Sequence, residues 1–230
     1  WSSDVCSSDL VMSPAEFIPL AENSGMIAQV TDYVVDELFN DLGEYLSRHP
    51  QLYIAINLSA SDFHSARLIA QITEKARSYA VCVKQIKIEV TERGFIDVPK
   101  TTPVIQAFRE AGYEIAIDDF GTGYSNLHNL YSLNVDILKI DKSFIDTLTT
   151  NSTSHLIAEH IIDMARSLRL KTIAEGVETL DQVDWLLKRG VQFCQGWHFA
   201  RAMPPQEFIQ WLAKSPILLR PPHDGRQAEI

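Results

Sequence analysis

The chain has 230 residues, of which 46% are hydrophobic and 22% charged, a balance that excludes a disordered polymer and suits one domain with a sizeable core. The formal net charge of −10 excludes a protein that coats a nucleic-acid polymer, because such backbones are gripped by clustered Lys and Arg; a phosphate-bearing ligand needs a cation between itself and this protein. Cys6, Cys82 and Cys194 form no C-x-x-C pair, so neither a disulfide framework nor a zinc ribbon is expected, and a reducing cytoplasm fits best.

Residues 1–10 are polar, repeat Ser-Ser-Asp and show neither strand alternation nor helix periodicity, so they read as a non-native or disordered segment. The domain is expected over residues 11–215. Ser13-Pro14-Ala15-Glu16 predicts a capping box with proline at the first helical position, and Asn23-Ser24-Gly25 predicts the stop. A longer helix is predicted from Ile27 to Arg48, with Val30, Val34, Val35, Leu38, Phe39, Leu42 and Leu46 on one stripe.

Six short apolar runs then read as buried strands: Tyr53 to Leu58, Ile86 to Val90, Glu114 to Asp118, Ile137 to Ile140, Thr172 to Ala174 and Phe193 to Gly196. Amphipathic helices fall between them, around Ile69 to Tyr79, Pro103 to Ala111, Leu156 to Leu168, Leu180 to Lys188 and, last, Pro205 to Leu212. Thr102-Pro103 is expected to open one helix and Gly112 to close it; Thr179 with Gln182 predicts a second capping box. Repeated β-then-α order implies a parallel sheet covered by helices, either an open doubly wound sheet or a closed barrel. Residues 216–230 read as a disordered tail. No apolar run reaches the ~18 residues that span a bilayer, so no membrane contact by this segment is expected; an inner-membrane anchor in a longer parent protein is compatible with that.

Each apolar run carries a polar residue at or just past its C-terminal end: Asn57, Glu89 with Glu92, Asp118 with Asp119, Lys139 with Asp141, Glu175 with Glu178, and Gln195. In a parallel barrel all strand C-termini open onto one face, so these sequence-distant groups would converge. Carboxylates with an amide oxygen and no histidine or cysteine pattern make a hard, oxygen-rich set that suits Mg²⁺ or Mn²⁺. Two such ions can clamp the attacking and leaving oxygens of a phosphodiester. Adjacent Asp118 and Asp119 repel, and a structural role for both is hard to justify without a cation. Lys139, closing a run that belongs inside, needs an acidic partner. Taken singly, Glu92, Asp141 and Glu178 serve as readily on the surface as in a site, and Cys194 reads as a buried filler.

At these residues the chain resembles the EAL phosphodiesterase family. Asn57-Leu58-Ser59-Ala60, Glu89-Val90-Thr91-Glu92, Asp118-Asp119-Phe120-Gly121-Thr122-Gly123-Tyr124-Ser125, Leu138-Lys139-Ile140-Asp141, Ala174-Glu175-Gly176-Val177-Glu178 and Gln195-Gly196 look like its successive signatures, in order. The resemblance implies a TIM-like (β/α) barrel and metal-assisted hydrolysis of cyclic di-GMP to linear pGpG, as the cytoplasmic output of a bacterial signalling protein. It implies two metals, Mg²⁺ or Mn²⁺, ligated by Asn57, Glu89, Asp118 and Asp119, with Glu175 as ligand or general base. Lys139 would orient the water and offset developing charge, while Glu178 and Gln195 would support substrate contacts. Glu92 would restrain the loop carrying Gly121, Thr122 and Gly123, which in the family communicates with a dimer interface, so a homodimer is expected.

The six strands fall short of the eight of a closed barrel, so about two are expected upstream, together with the Glu-Ala-Leu tripeptide and an Arg-Trp pair that the family places before Ser-Pro-x-Glu-Phe. Neither occurs here, although Trp1 could belong to that pair. Weak or absent hydrolysis and exposed edges at the Tyr53 and Phe193 runs are the corresponding expectations. The competing expectation is a degenerate module that binds cyclic di-GMP or a protein partner without cleaving it.

Overall fold

The computed structural model describes residues 12–60, 62, 66–91, 98–121, 134–148 and 154–214. Two helices, α1 (Pro14–Ser24) and α2 (Ile27–Arg48), precede the first strand. Ser13 does occupy the N-cap of α1 with Pro14 next, but its hydroxyl makes no cap bond. The expected capping box is therefore not formed, because the Glu16 N–H it would satisfy donates to the Ser13 carbonyl at 2.8 Å. Along α2 the predicted stripe is the buried one: Val35, Leu38, Phe39, Leu42 and Leu46 all lie in the core, while Val30 and Val34 are half-buried.

From there the chain alternates strand and helix: β1 (Ile54–Leu58), α3 (Ala66–Ser78), β2 (Ile86–Thr91), α4 (Val98–Glu110), β3 (Glu114–Phe120), β4 (Ile137–Ile140), α5 (Lys142–Ile145), α6 (Ser154–Ser167), β5 (Lys171–Ala174), α7 (Leu180–Lys188), β6 (Phe193–Cys194) and α8 (Pro205–Lys214). One expected boundary is wrong: α4 begins at Val98 and carries Pro103 inside it. Pro99 lies in its first turn, where a missing N–H costs nothing, and this provides the start assigned by the sequence to Pro103. The Thr179 box forms as expected, with Thr179 Oγ1 accepting from the Gln182 N–H at 3.3 Å and Gln182 Oε1 from the Thr179 N–H at 3.0 Å.

The six strands pair in sequence order, all parallel, and the sheet curls into a TIM-like half-barrel. Tyr53, just before β1, meets Phe193 of β6 edge to face, with ring centroids 6.1 Å apart. The first and last strands thus approach each other at their N-terminal ends, although no described strand pairs with the outer side of either. Buried Gln85 fixes where β1 enters, its amide nitrogen lying 3.0, 3.1 and 3.0 Å from the carbonyls of Leu46, His49 and Leu52.

Because strand side chains alternate between faces, one set packs under the helices: Ile56, Leu58, Ile86, Ile88, Val90, Ile115, Ile117, Leu138 and Ile140 belong to the main core. The other set fills the concave side in layers, as in barrels. At the N-terminal end Glu114 takes Lys87 and Lys171 as ion-pair partners, and Lys87 lies over the Tyr53 ring. Burial opposes ionisation of Glu114, but the two ammonium groups win and hold its carboxyl below the ordinary range. A small apolar layer of Ala116, Ile137, Ile173 and Phe193 follows. Above it, at the C-terminal end, the concave face turns polar and acidic.

Candidate active site

Lys139 is 3% exposed and its ammonium meets three carboxylates from three other strand ends. Its Nζ lies 2.7 Å from Glu89, 2.9 Å from Asp118 and 2.7 Å from Glu175. Burial alone would depress this ammonium, but Glu89, Glu175 and Asp118 outweigh it and keep the group charged. On the acidic side burial dominates: it raises the Glu89 carboxyl against the pull of Lys139. It also pushes Glu175 up to about 7, with Asp118 and Glu89 adding to the rise and Lys139 opposing it.

Asp118 and Asp119 are neighbours in a strand, where alternation would send them to opposite faces. A register shift against β4 between Ile117 and Phe120 breaks that alternation. Asp119 takes φ +55°, a left-handed conformation that aspartate tolerates better than most residues, and its N–H donates to Asp118 Oδ1 at 3.0 Å. Both carboxylates then reach Glu175: one oxygen from each of the three lies within 4.8 Å of the other two. Among the described residues, four carboxylates therefore share this end of the sheet with the Lys139 ammonium, and an all-oxygen donor set with excess negative charge fits a divalent cation that prefers oxygen. Asn57 is exposed at the end of β1, in register with Glu89.

At the rim Glu178 pairs with Lys142 of α5, at 2.5 Å, and Lys142 also pairs with Asp146. Asp141 acts as N-cap of α5, accepting from the Ser143 N–H at 3.0 Å. Gln195 is exposed, and its main chain clasps the loop after β5: its carbonyl accepts from the Val177 N–H at 3.0 Å, and the Val177 carbonyl accepts from the His198 N–H at 3.0 Å. Gly121, at φ +96°, packs so closely under Phe144 that a Cβ would come within 2.9 Å of its ring. Burial pushes the Cys194 thiol up to about 11, so it stays protonated. Glu92, Thr122 and Gly123 lie outside the described residues.

Two contributors escape a reading of the sequence, Lys142 and Asp62, and the structure gives Gly196 of the quoted Gln195-Gly196 pair its physical reason. A Cβ at Gly196 would fall 2.2 Å from the Val177 carbonyl oxygen and 2.3 Å from its nitrogen, so the loops after β5 and β6 interlock only with glycine there. Gly196→Ala is expected to cost about 1–3 kcal/mol by overpacking, read from denaturant unfolding; an unchanged midpoint would contradict the interlock.

A layered parallel half-barrel with an acidic cluster at its strand C-termini has the architecture of a TIM-like barrel with its site where barrel enzymes place theirs, and comparison makes the class specific. The sequence matches the EAL domain over residues 6–202, and the chain belongs to that family. It is 44% identical over 200 residues to the probable cyclic di-GMP phosphodiesterase PdeB of Escherichia coli K12, covering 87% of this chain and 38% of PdeB. It is 37% identical over 196 residues to the cyclic di-GMP phosphodiesterase NbdA of Pseudomonas aeruginosa PAO1, covering 84% of this chain and 25% of NbdA. Thus the chain spans about two fifths or less of these relatives. The PaMucR phosphodiesterase, solved in complex with c-di-GMP, superposes with a TM-score of 0.81 at 34% identity, over 88% of this chain and 83% of that one.

Proposed function

We propose that this domain hydrolyses cyclic di-GMP to linear pGpG, using Mg²⁺ or Mn²⁺ at the strand C-termini. The observation that carries the reading is the convergence of Glu89, Asp118 and Glu175 on Lys139, with Asp119 brought beside them. Asn57, Glu89, Asp118, Asp119 and Glu175 would hold the ions. When bound, divalent ions supply a more acidic water and neutralise the oxygens of the phosphodiester.

The chain's own groups supply the rest. Glu175, whose carboxyl burial pushes up to about 7 in the metal-free site, is suited to accept the proton of the attacking water. Water oxygen bonds to phosphorus, one P–O3′ bond breaks, and the released oxygen takes up a proton. Lys139 holds Glu175 and Asp118 in place and offsets the negative charge that grows on the phosphoryl oxygens. Glu178 and Gln195 stand at the rim, where substrate would make its outer contacts. The loop with Glu92, Gly121, Thr122 and Gly123 would couple the site to a homodimer interface. No described helix is long and apolar enough to cross a membrane. The domain would act in the cytoplasm as the output of a bacterial signalling protein, a reading supported by the bacterial relatives it matches.

The test is incubation of the domain, supplied with the Glu-Ala-Leu segment that the family places before Ser13, with cyclic di-GMP and Mn²⁺, with nucleotides separated by chromatography. Linear pGpG should accumulate, and a chelator should stop it. Binding without turnover would overturn catalysis in favour of a module that only senses the nucleotide.

A further inference from the structure

Among the described residues, two carboxylates are buried, Glu89 and Asp62. Glu89 is explained by Lys139, whereas Asp62, 3% exposed, has no cation at ion-pair distance among the described residues. Three neutral donors converge on its Oδ2: the Ser59 N–H at 2.8 Å, the Ser59 hydroxyl at 2.8 Å and the hydroxyl of Thr31 in α2 at 3.1 Å. The turn is closed from the other side, since the Asp62 N–H donates to the Ser59 carbonyl at 3.1 Å. A buried carboxylate costs several kcal/mol unless it is hydrogen-bonded, so the three donors on Oδ2 hold this turn to one well-defined geometry.

Its location gives it a consequence. Ser59 is the residue after β1, two beyond Asn57, and β1 pairs on one side only among the described strands. The sheet therefore constrains the end of β1 less than it does the ends of β2 to β5. Leu58, 2% exposed, anchors the outward face, and the Asp62 turn fixes the direction in which the chain leaves the strand. We propose that Asp62 is a positioning residue: it locks the end of β1 to Thr31 and thereby holds the Asn57 carboxamide in register with Glu89 for cation binding. This rests on the metal-centre reading above and adds to it a residue that touches neither cation nor substrate.

The test measures Mn²⁺ binding directly, by the electron paramagnetic resonance signal of free Mn²⁺, alongside thermal unfolding in chelator. Asp62→Ala should weaken Mn²⁺ binding about tenfold, the lower end of what outer partners of metal ligands contribute, with turnover recovering at high Mn²⁺. Asp62→Asn, which keeps an accepting oxygen, should lose less. Thr31→Val removes the link to α2, together with the hydroxyl's 3.2 Å contact with the Ile27 carbonyl inside that helix, and should fall between wild type and Asp62→Ala. Affinity within twofold of wild type in a cooperatively folding Asp62→Ala overturns the proposal; if that variant does not fold, Asp62→Asn with unchanged affinity and a lowered melting temperature does so. Absence of Mn²⁺ binding by the wild-type protein would instead defeat the metal-centre reading, and this proposal with it.

Discussion

Lys139→Met is expected to abolish cyclic di-GMP turnover and to lower the melting temperature of the metal-free protein by on the order of 10 °C. Methionine fills the space of the lysine stem but leaves Glu89, Asp118 and Glu175 facing one another without their ammonium. Removing one partner of a buried ionic cluster costs about 3–5 kcal/mol, and each kcal/mol moves the midpoint of a domain this size by roughly 2–4 °C. The sign with pH can be worked out. Glu89 and Glu175 are already raised above the ordinary carboxyl value of 4.5, and loss of Lys139 raises them further. The folded state then binds more protons than the unfolded one, so stability falls as pH rises from about 4.5 upward. Melting curves in chelator between pH 5 and 8 should show the deficit widening with pH. Adding Glu89→Gln to Lys139→Met should restore part of the stability and none of the activity. A variant that melts like wild type across that range would mean the ammonium is not what holds these carboxylates together.

Much of this architecture is legible in the sequence because it is written in local rules. Runs such as Ile137 to Ile140, short and bounded by turn signals, read as strands buried on both faces, and the polar residue ending each run marks the face to which all parallel strands open. Asn57, Glu89, Asp118, Lys139 and Glu175 follow from that logic, and four of these five meet directly. What stays illegible depends on partners distant in sequence. Asp119 joins Glu175 only because a bulge against β4 flips it, and nothing in the dipeptide Asp-Asp announces a bulge. Glu178 follows Glu175 by three residues, yet its direction is set by Lys142 from a different strand end. The start of α4 is ambiguous because two prolines, Pro99 and Pro103, compete for the same role. Asp62 carries a readable sign, a serine three residues before an aspartate just after a strand, but burial turns that pair from a surface turn into an anchor.

Glu175→Gln and Asp118→Asn should separate proton transfer from cation binding, although both are expected to reduce turnover at ordinary Mn²⁺ by about a thousandfold, within the range attributed to a general base. The Glu175→Gln variant keeps the size of the side chain and an oxygen that can still accept from Lys139, so cyclic di-GMP binding should persist while catalysis is lost at every Mn²⁺ concentration. The Asp118→Asn variant still offers one oxygen without its charge, so its defect should shrink as Mn²⁺ is raised. The pH profiles discriminate further. Glu175 must be ionised to accept a proton or to bind a cation, and in the metal-free site its carboxyl lies at about 7. Wild-type turnover should therefore rise with pH up to that value, with a midpoint at or below it because bound cations favour the ionised form. The residual rate of Glu175→Gln should lack this limb, and Asp118→Asn should retain it. If Mn²⁺ rescues both variants equally, Glu175 serves only as a ligand; if neither loses turnover, the acidic cluster is not the catalytic centre.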